Sequence, residues 1–210
     1  MKLERKRLYI SKKTGLKERI KIINSAAAEK YNTVIFSLDD DFFKNRNRNQ
    51  KYIKLLKHYS FNIEAGGRDF PLFIPKWLYL FRRDIFRMEE GKRKMNHHFC
   101  TTNPQTISYI KERAAFLFSR SINEVTPTRI FHLLPDEGHE NTWCSCPACR
   151  AFSPAEQNLI TVNTAADALA NLDPEAKILY LDLGTEAEAP GITPRKNMLA
   201  EKSTIFCVTS

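Results

Sequence analysis

The sequence predicts a parallel α/β domain, read as an incomplete (β/α) barrel of TIM type with about five to six strands. Three observations lead there. Strand-like and helix-like segments alternate about five times with short connections. The strand segments are continuously apolar, as strands covered on both faces are, rather than alternating. Polar groups recur where those strands end, the C-terminal edge at which α/β sheets and barrels collect function.

In chain order, "RLYIS" (Arg7–Ser11) is a short strand, and "GLKERIKIINSAAAEKY" repeats apolar residues at helical spacing. "TVIFSLDD" is a β-branched and aromatic run ending in Asp39, Asp40 and Asp41. "NQKYIKLLKHYS" reads as a helix, and "FNIEAGG" as a strand closed by Gly66 and Gly67. An irregular insert around 70–100 follows. "NPQTISYIKERAAFLFSRS" is a helix with Pro104 near its start, and "RIFHLLP" the next strand. "SPAEQNLITVNTAADALANL" carries a full helix-start signature: Ser153 as N-cap, Pro154 at the first helical position and Glu156 three residues after the cap. "AKILYLDL" is a strand, and "PGITPRKNMLAEKSTIFCVTS" reads as a loop entering one more, "STIFCVTS".

The pattern fits either a doubly wound sheet, complete at this length, or a barrel, which usually needs about 250 residues. No G-x-G-x-x-G follows the first strand and no G-x-x-x-x-G-K-[ST] occurs, so the phosphate-binding open sheets lose support. The expected organisation is a single partial barrel over 1–210, with the insert and a Cys-rich loop at 138–152. Unpaired sheet edges in such a barrel invite a second copy to cover them, hence an expected homo-oligomer.

Composition narrows the function classes. At 42% hydrophobic and 27% charged the chain has an ordinary globular core, and no apolar run approaches the roughly 20 residues of a membrane span. The N-terminus "MKLERKRLYISKK" has basic residues but no apolar segment behind them, which is not a signal peptide and leads to an expectation of a cytoplasmic protein. The net charge of +9 raises nucleic acid as a partner, but much of it lies on amphipathic helices and no nucleic-acid-binding motif accompanies it. Five cysteines in a reducing compartment favour thiol or metal chemistry over a disulfide framework.

The chemistry-bearing residues concentrate in "RIFHLLPDEGHENTWCSCPACRAF", Arg129 to Phe152. Cys144, Cys146 and Cys149 form C-x-C-x-x-C, three thiolates within reach of one ion. Tetrahedral zinc wants a fourth ligand, for which His139 or Cys100 is available; reduced thiols packed in a loop, or a local disulfide, are the alternatives. Asp39 to Asp41, Glu64 to Arg68 with Asp69, and Asp136 with Glu137 stand at strand ends, where a carboxylate either serves a site or caps a loop. The aromatics Trp77, Tyr79, Phe81 and Trp143 suit either stacking platforms or packing, and His97 and His98 either ligands or packing groups.

The segments "LFRRDIFRMEEGKRKMNHHFCTTNPQTISYI" and "FHLLPDEGHENTWCSCPACRAF" resemble the bacterial domain-of-unknown-function family 4838. The matching residues are Gly91, Lys92, Arg93, Cys100, Asn103, Pro104, Asp136, Trp143, Cys144, Cys146, Pro147 and Cys149. That family is grouped with TIM-barrel glycoside hydrolases and is similar in layout to the β-hexosaminidases of glycoside hydrolase family 20, which carry H-x-G-G-D-E at a strand end. This chain has His132-Leu-Leu-Pro-Asp136-Glu137 at the same spacing, with Leu134-Pro135 in place of Gly-Gly. The resemblance implies Glu137 as general acid and Asp136 as the residue orienting a substrate acetamido group; the strand-end residues Asp39, Glu64 and Arg68, with His132 and the aromatic Trp143, are the substrate-binding candidates. Glycosidic cleavage needs one protonated carboxyl for the leaving oxygen and a second group to stabilise the oxocarbenium-like state. Pro135 and Gly138 supply the turn that lets adjacent residues address one site.

Overall fold

A computed structural model of the chain describes residues 5–45, 47–96, 98–125, 127–136, 142–184, 191–202 and 207–209. The first half alternates strand and helix: β1 (Arg7–Ile10), α1 (Leu16–Ala28), β2 (Thr33–Phe36), the short α2 (Asp41–Lys44), α3 (Gln50–His58) and β3 (Asn62–Gly67). Three 3₁₀ turns and a small antiparallel hairpin, β4 (Met88–Glu89) and β5 (Lys92–Arg93), form the insert. The second half runs α4 (Pro104–Ser121), β6 (Ile130–Leu133), α5 (Pro154–Ala170), β7 (Lys177–Leu181), β8 (Met198–Glu201) and β9 (Cys207–Thr209).

The main sheet has the order β8-β7-β6-β3-β2-β1-β9, and every pair in it is parallel. From β1 to β8 the order is sequential, as barrel winding requires, and β9 takes the other side of β1. No pairing joins β8 to β9 among the described residues, so the barrel is not closed. The sheet is nonetheless strongly curled. The Arg7 Nη1 on β1 donates to the Glu201 Oε1 on β8 at 2.7 Å, although the two strands stand five steps apart, about 24 Å in a flat sheet. Only a sheet bent round on itself brings them together.

β8 is the element that sequence patterning missed. "MLAE" is too short and too mixed to show a period, and its strand character comes from pairing Ile178 to Leu181 with Met198 to Glu201. The α5 start, in contrast, is as its residues dictate: the Ser153 hydroxyl accepts from the Glu156 amide at 3.2 Å and the Glu156 carboxylate accepts from the Ser153 amide at 2.8 Å, a reciprocal capping box with Pro154 at the first position.

Helices cover the outer face. β2 and β6 are buried throughout. Val34, Phe36, Ile23, Tyr52 and Leu56 pack one core between β1, β2, α1 and α3. Phe131, Phe118, Ile110, Val162 and Ile178 pack a larger one under α4 and α5, which also takes in the insert through Phe70, Phe73 and Phe99. At the join of β3 and β6 the backbones approach so closely that a Cβ on Gly66 would lie 1.9 Å from the His132 carbonyl oxygen; Gly66 also has φ +114°, where only glycine is unstrained. No helix among the described residues is long and apolar enough to cross a membrane.

Candidate functional site

Polar groups occupy two levels of the barrel. In its interior the Glu64 and His132 side chains are fully buried. His132 Nε2 lies 2.6 Å from Glu64 Oε2, Arg5 Nη1 lies 3.3 Å from Glu64 Oε1, and Arg7 Nε lies 3.2 Å from Glu64 Oε2. Arg7 also holds Glu201, so one charged layer ties β1, β3, β6 and β8 together. Glu64 is therefore not at the C-terminal rim, where the strand-end reading put it. The register sets it beside Ile35 of β2, three residues before β3 ends. A run such as "NIEAGG" does not show how far a strand extends past its acid. Glu64 and His132 are brought together, but inside the wall and away from solvent.

At the rim, the ends of β2, β3 and β6 meet. Asp69 is buried; its carboxylate accepts from the Ser37 hydroxyl at 2.7 Å and from the Leu38 amide at 2.8 Å. The same Ser37 oxygen lies 2.9 Å from Asp39 Oδ1, and Lys12 Nζ lies 2.9 Å from Asp39 Oδ2. A serine has one proton to donate, so the two carboxylates share a single hydroxyl donor. Burial pushes Asp69 up to about 6, a rise the Leu38 and Ser37 hydrogen bonds oppose and the Asp39 charge adds to. Burial acts the same way on Asp39, but the Lys12 and Ser37 hydrogen bonds and the Lys12 charge bring it below the usual carboxylate value. The pair thus splits into a readily protonated Asp69 and an ionised Asp39. The Tyr9 phenol is pushed up by burial and by the Asp69, Asp40 and Asp39 charges. Arg68 Nη1 donates to the Pro135 carbonyl at 3.0 Å, fastening the end of β3 to the segment that carries Asp136.

Asp136 is half-buried and borders a hollow of about 50 Å³ whose lining includes Lys76, Phe86, His98 and Phe99. Its expected companion Glu137, together with His97 and His139, lies outside the described residues. Asp40 has a different task. Its buried carboxylate takes a bidentate pair from Arg19, both contacts at 2.7 Å, and caps α2 through the Phe42 amide at 2.8 Å. Sequence reasoning placed Asp69 among the strand-end carboxylates that either serve a site or cap a loop; it missed the Ser37 link. "GGRD" after a strand was the available signal, but its partner at Ser37 is 32 residues away in sequence.

Beside this rim lies a thiol cluster. Cys100, Cys144, Cys146 and Cys149 are all buried, with their four sulfur atoms within 4.8 Å of one another. Cys100 Sγ is 3.7 Å from both Cys146 Sγ and Cys149 Sγ. A disulfide would need about 2.05 Å. A tetrahedron of thiolates around zinc, at about 2.3 Å per Zn–S bond, has edges of about 3.8 Å. The surroundings suit anionic sulfur: the Met88 amide donates to Cys144 Sγ at 3.3 Å, Thr102 Oγ1 lies 3.2 Å from Cys149 Sγ, and Arg93 Nη1 is 4.0 Å from Cys144 Sγ. Hydrogen bonds from Cys144 and Cys149 pull the Cys100 thiol far down, and the same contacts push those two up. Four thiols this close cannot all ionise unless a cation joins them. The knuckle "WCSCPAC" supplies three sulfur atoms, and Cys100, at the end of the insert, supplies the fourth.

The aromatics divide. Trp143 stacks on His98 with ring centroids 4.1 Å apart and planes 6° from parallel. The Tyr79 hydroxyl donates to the Arg93 carbonyl at 2.5 Å, which makes Tyr79 a brace of the hairpin. Trp77 and Phe81 are exposed, on the insert.

No family model and no curated protein matches the chain. Solved structures do. A family 20 glycoside hydrolase catalytic module of the pneumococcal exo-β-D-N-acetylglucosaminidase superposes with a TM-score of 0.64 at 12% identity, over 94% of this chain and 59% of that one. The β-N-acetylhexosaminidase from Bacteroides fragilis gives 0.55 at 15% identity, over 92% and 44%. A cold-adapted β-galactosidase from a Rahnella species gives 0.58 at 9% identity, over 86% and 36%. The chain spans about half the length of the hexosaminidases it matches. At these identities the likeness is one of fold: a barrel of the kind that glycoside hydrolases use, here not closed.

Proposed function

We propose that the chain is a glycoside hydrolase-like module that binds a carbohydrate at the β2–β3–β6 rim, with Glu137 as general acid and Asp136 as the group that orients the substrate. One observation carries this reading. β6, the fourth strand in barrel order, is followed by Asp136, which borders a hollow with His98 and is tied through Pro135 and Arg68 to the end of β3, and the solved structures similar to this fold are glycosidases. Arg68, tied to Pro135, and Asp39 supply further polar contacts at the rim, while Glu64 and His132 support the wall from inside.

The chemistry asks for one carboxyl that is protonated at working pH and one group that steadies the developing positive charge on the sugar ring. The test is a screen of aryl N-acetylhexosaminides, glucuronides and simple hexosides. Slow hydrolysis with an acidic optimum, abolished by Glu137→Gln while binding persists, is the expected outcome. Cleavage of substrates lacking the acetamido group would overturn the role given to Asp136, and neither binding nor cleavage would overturn the reading as a whole. A sugar-binding module without hydrolysis is the second reading, favoured by the unclosed sheet; binding without turnover would select it.

We further propose that Cys100, Cys144, Cys146 and Cys149 hold a structural zinc ion. Four thiolates close the coordination sphere, so no position is left for water or substrate, which is the mark of a structural site. Elemental analysis of protein purified without chelator is expected to give one zinc per chain.

A further inference from the structure

The thiol cluster and the candidate site are joined by two very short pieces of chain. His98 precedes Cys100 by two residues, and Trp143 directly precedes Cys144. These two aromatic side chains come from segments more than forty residues apart and make one flat stack. His98 is buried and borders the hollow at Asp136. Trp143 borders a second hollow of about 470 Å³, together with Glu89, Glu90, Arg150 and Gln157. The stack is thus the partition between the two.

We propose that the metal centre is the positioning device for this partition: by fixing Cys100 to Cys144 it fixes His98 against Trp143, and so sets the wall of the candidate carbohydrate site. This rests on the metal occupancy proposed above. Each segment is also held to its own neighbours: the Ser145 amide and hydroxyl both donate to the Met88 carbonyl at 2.8 Å, Gln157 Nε2 donates to the Cys144 carbonyl at 3.2 Å, and Phe99 pairs with Phe86. The sulfur atoms join the segment of His98 directly to that of Trp143: Cys100 and Cys146 are 3.7 Å apart, and Thr102 Oγ1 lies 3.2 Å from Cys149 Sγ.

The chain has two tryptophans, so Trp77→Phe, at an exposed position, leaves Trp143 as the sole indole emitter. Adding zinc to this variant after chelator treatment should change the Trp143 emission and saturate at one zinc per chain. The further variant His98→Ala should keep that stoichiometry and lose the change. Coupling between two events is reciprocal, so His98→Ala should also weaken zinc roughly tenfold in competition with a chromophoric chelator. The competition starts from folded, metal-loaded protein and stands even if stripping unfolds the chain. Zinc bound at one equivalent with unchanged affinity in His98→Ala would overturn this inference and leave the structural zinc site intact. Absence of any zinc binding would overturn both.

Discussion

Replacing Cys149 by serine is the sharpest perturbation of the thiol cluster. Cys149 is fully buried, its sulfur touches Cys100 and Thr102, and a serine hydroxyl at that place stays protonated and is a poor zinc ligand. The magnitude follows from topology. Metal bound across Cys100 and Cys146 closes a loop of 46 residues. The chain-entropy relation used for cross-links gives about 4 kcal/mol for a loop of that size, lost when the ion is lost. For a domain of this length each kcal/mol moves the midpoint by about 2–4 °C, so Tm should fall by roughly 8–16 °C. The assay is a pair of thermal melts, with and without a strong chelator, alongside metal analysis. Wild type should lose the full increment on chelation, and Cys149→Ser should start from the lower value and ignore the chelator. Wild-type protein that holds no metal, melts identically in both conditions and shows all its thiols titratable in the native state would refute the reasoning.

Three further outcomes are expected. Asp69, raised from 3.8 to about 6, keeps a proton in the native state that the unfolded chain has released, so its contribution is present below about pH 4 and lost as pH rises through about 6. That loss is about 3 kcal/mol. Asp69→Asn cannot ionise, and urea midpoints should show it gaining on wild type between pH 4.5 and 7; parallel profiles would refute the assignment. Gly66→Ala places a Cβ 1.9 Å from a backbone oxygen at φ +114° and should cost more than ~3 kcal/mol, while Gly91→Ala, at φ +77° with nothing within 4 Å, should cost only ~1 kcal/mol; equal melting temperatures would contradict this. Asp40→Ala strands the buried Arg19 guanidinium and uncaps α2, an expected loss of ~3–5 kcal/mol by chemical denaturation, much of it recovered in the double variant Arg19→Leu/Asp40→Leu if the pair is as coupled as its geometry implies.

Several features are legible in the residues alone because they depend on neighbours a few positions apart. The continuous apolar runs "TVIF" and "RIFHLL" announce buried parallel strands. Ser153, Pro154 and Glu156 announce the start of α5. Three cysteines within six positions announce a cluster whatever the fold, since a short loop cannot hold them far apart. The fourth sulfur is another matter. The sequence offers His139 or Cys100, and the pairing of Phe99 with Phe86, together with the Ser145 bond to Met88, is what brings Cys100 to within 3.7 Å of Cys149.

What only the tertiary structure decided are contacts across long separations of chain. Glu64 looked like a strand-end acid, and the register of β3 on β2 and β6 instead turned it inward to meet His132, 68 residues on. Asp69 looked like one more strand-end carboxylate serving a site or capping a loop, and the end of β2 supplied the Ser37 and Leu38 groups that hold it. β8 has no period of its own and is a strand because β7 offers it a ladder. Local pattern records which face of an element seeks the core; it carries no information on which strand lies beside it, at what register or with what curl. Those are set by how the curled sheet packs against its helices, and they determine which side chains become neighbours.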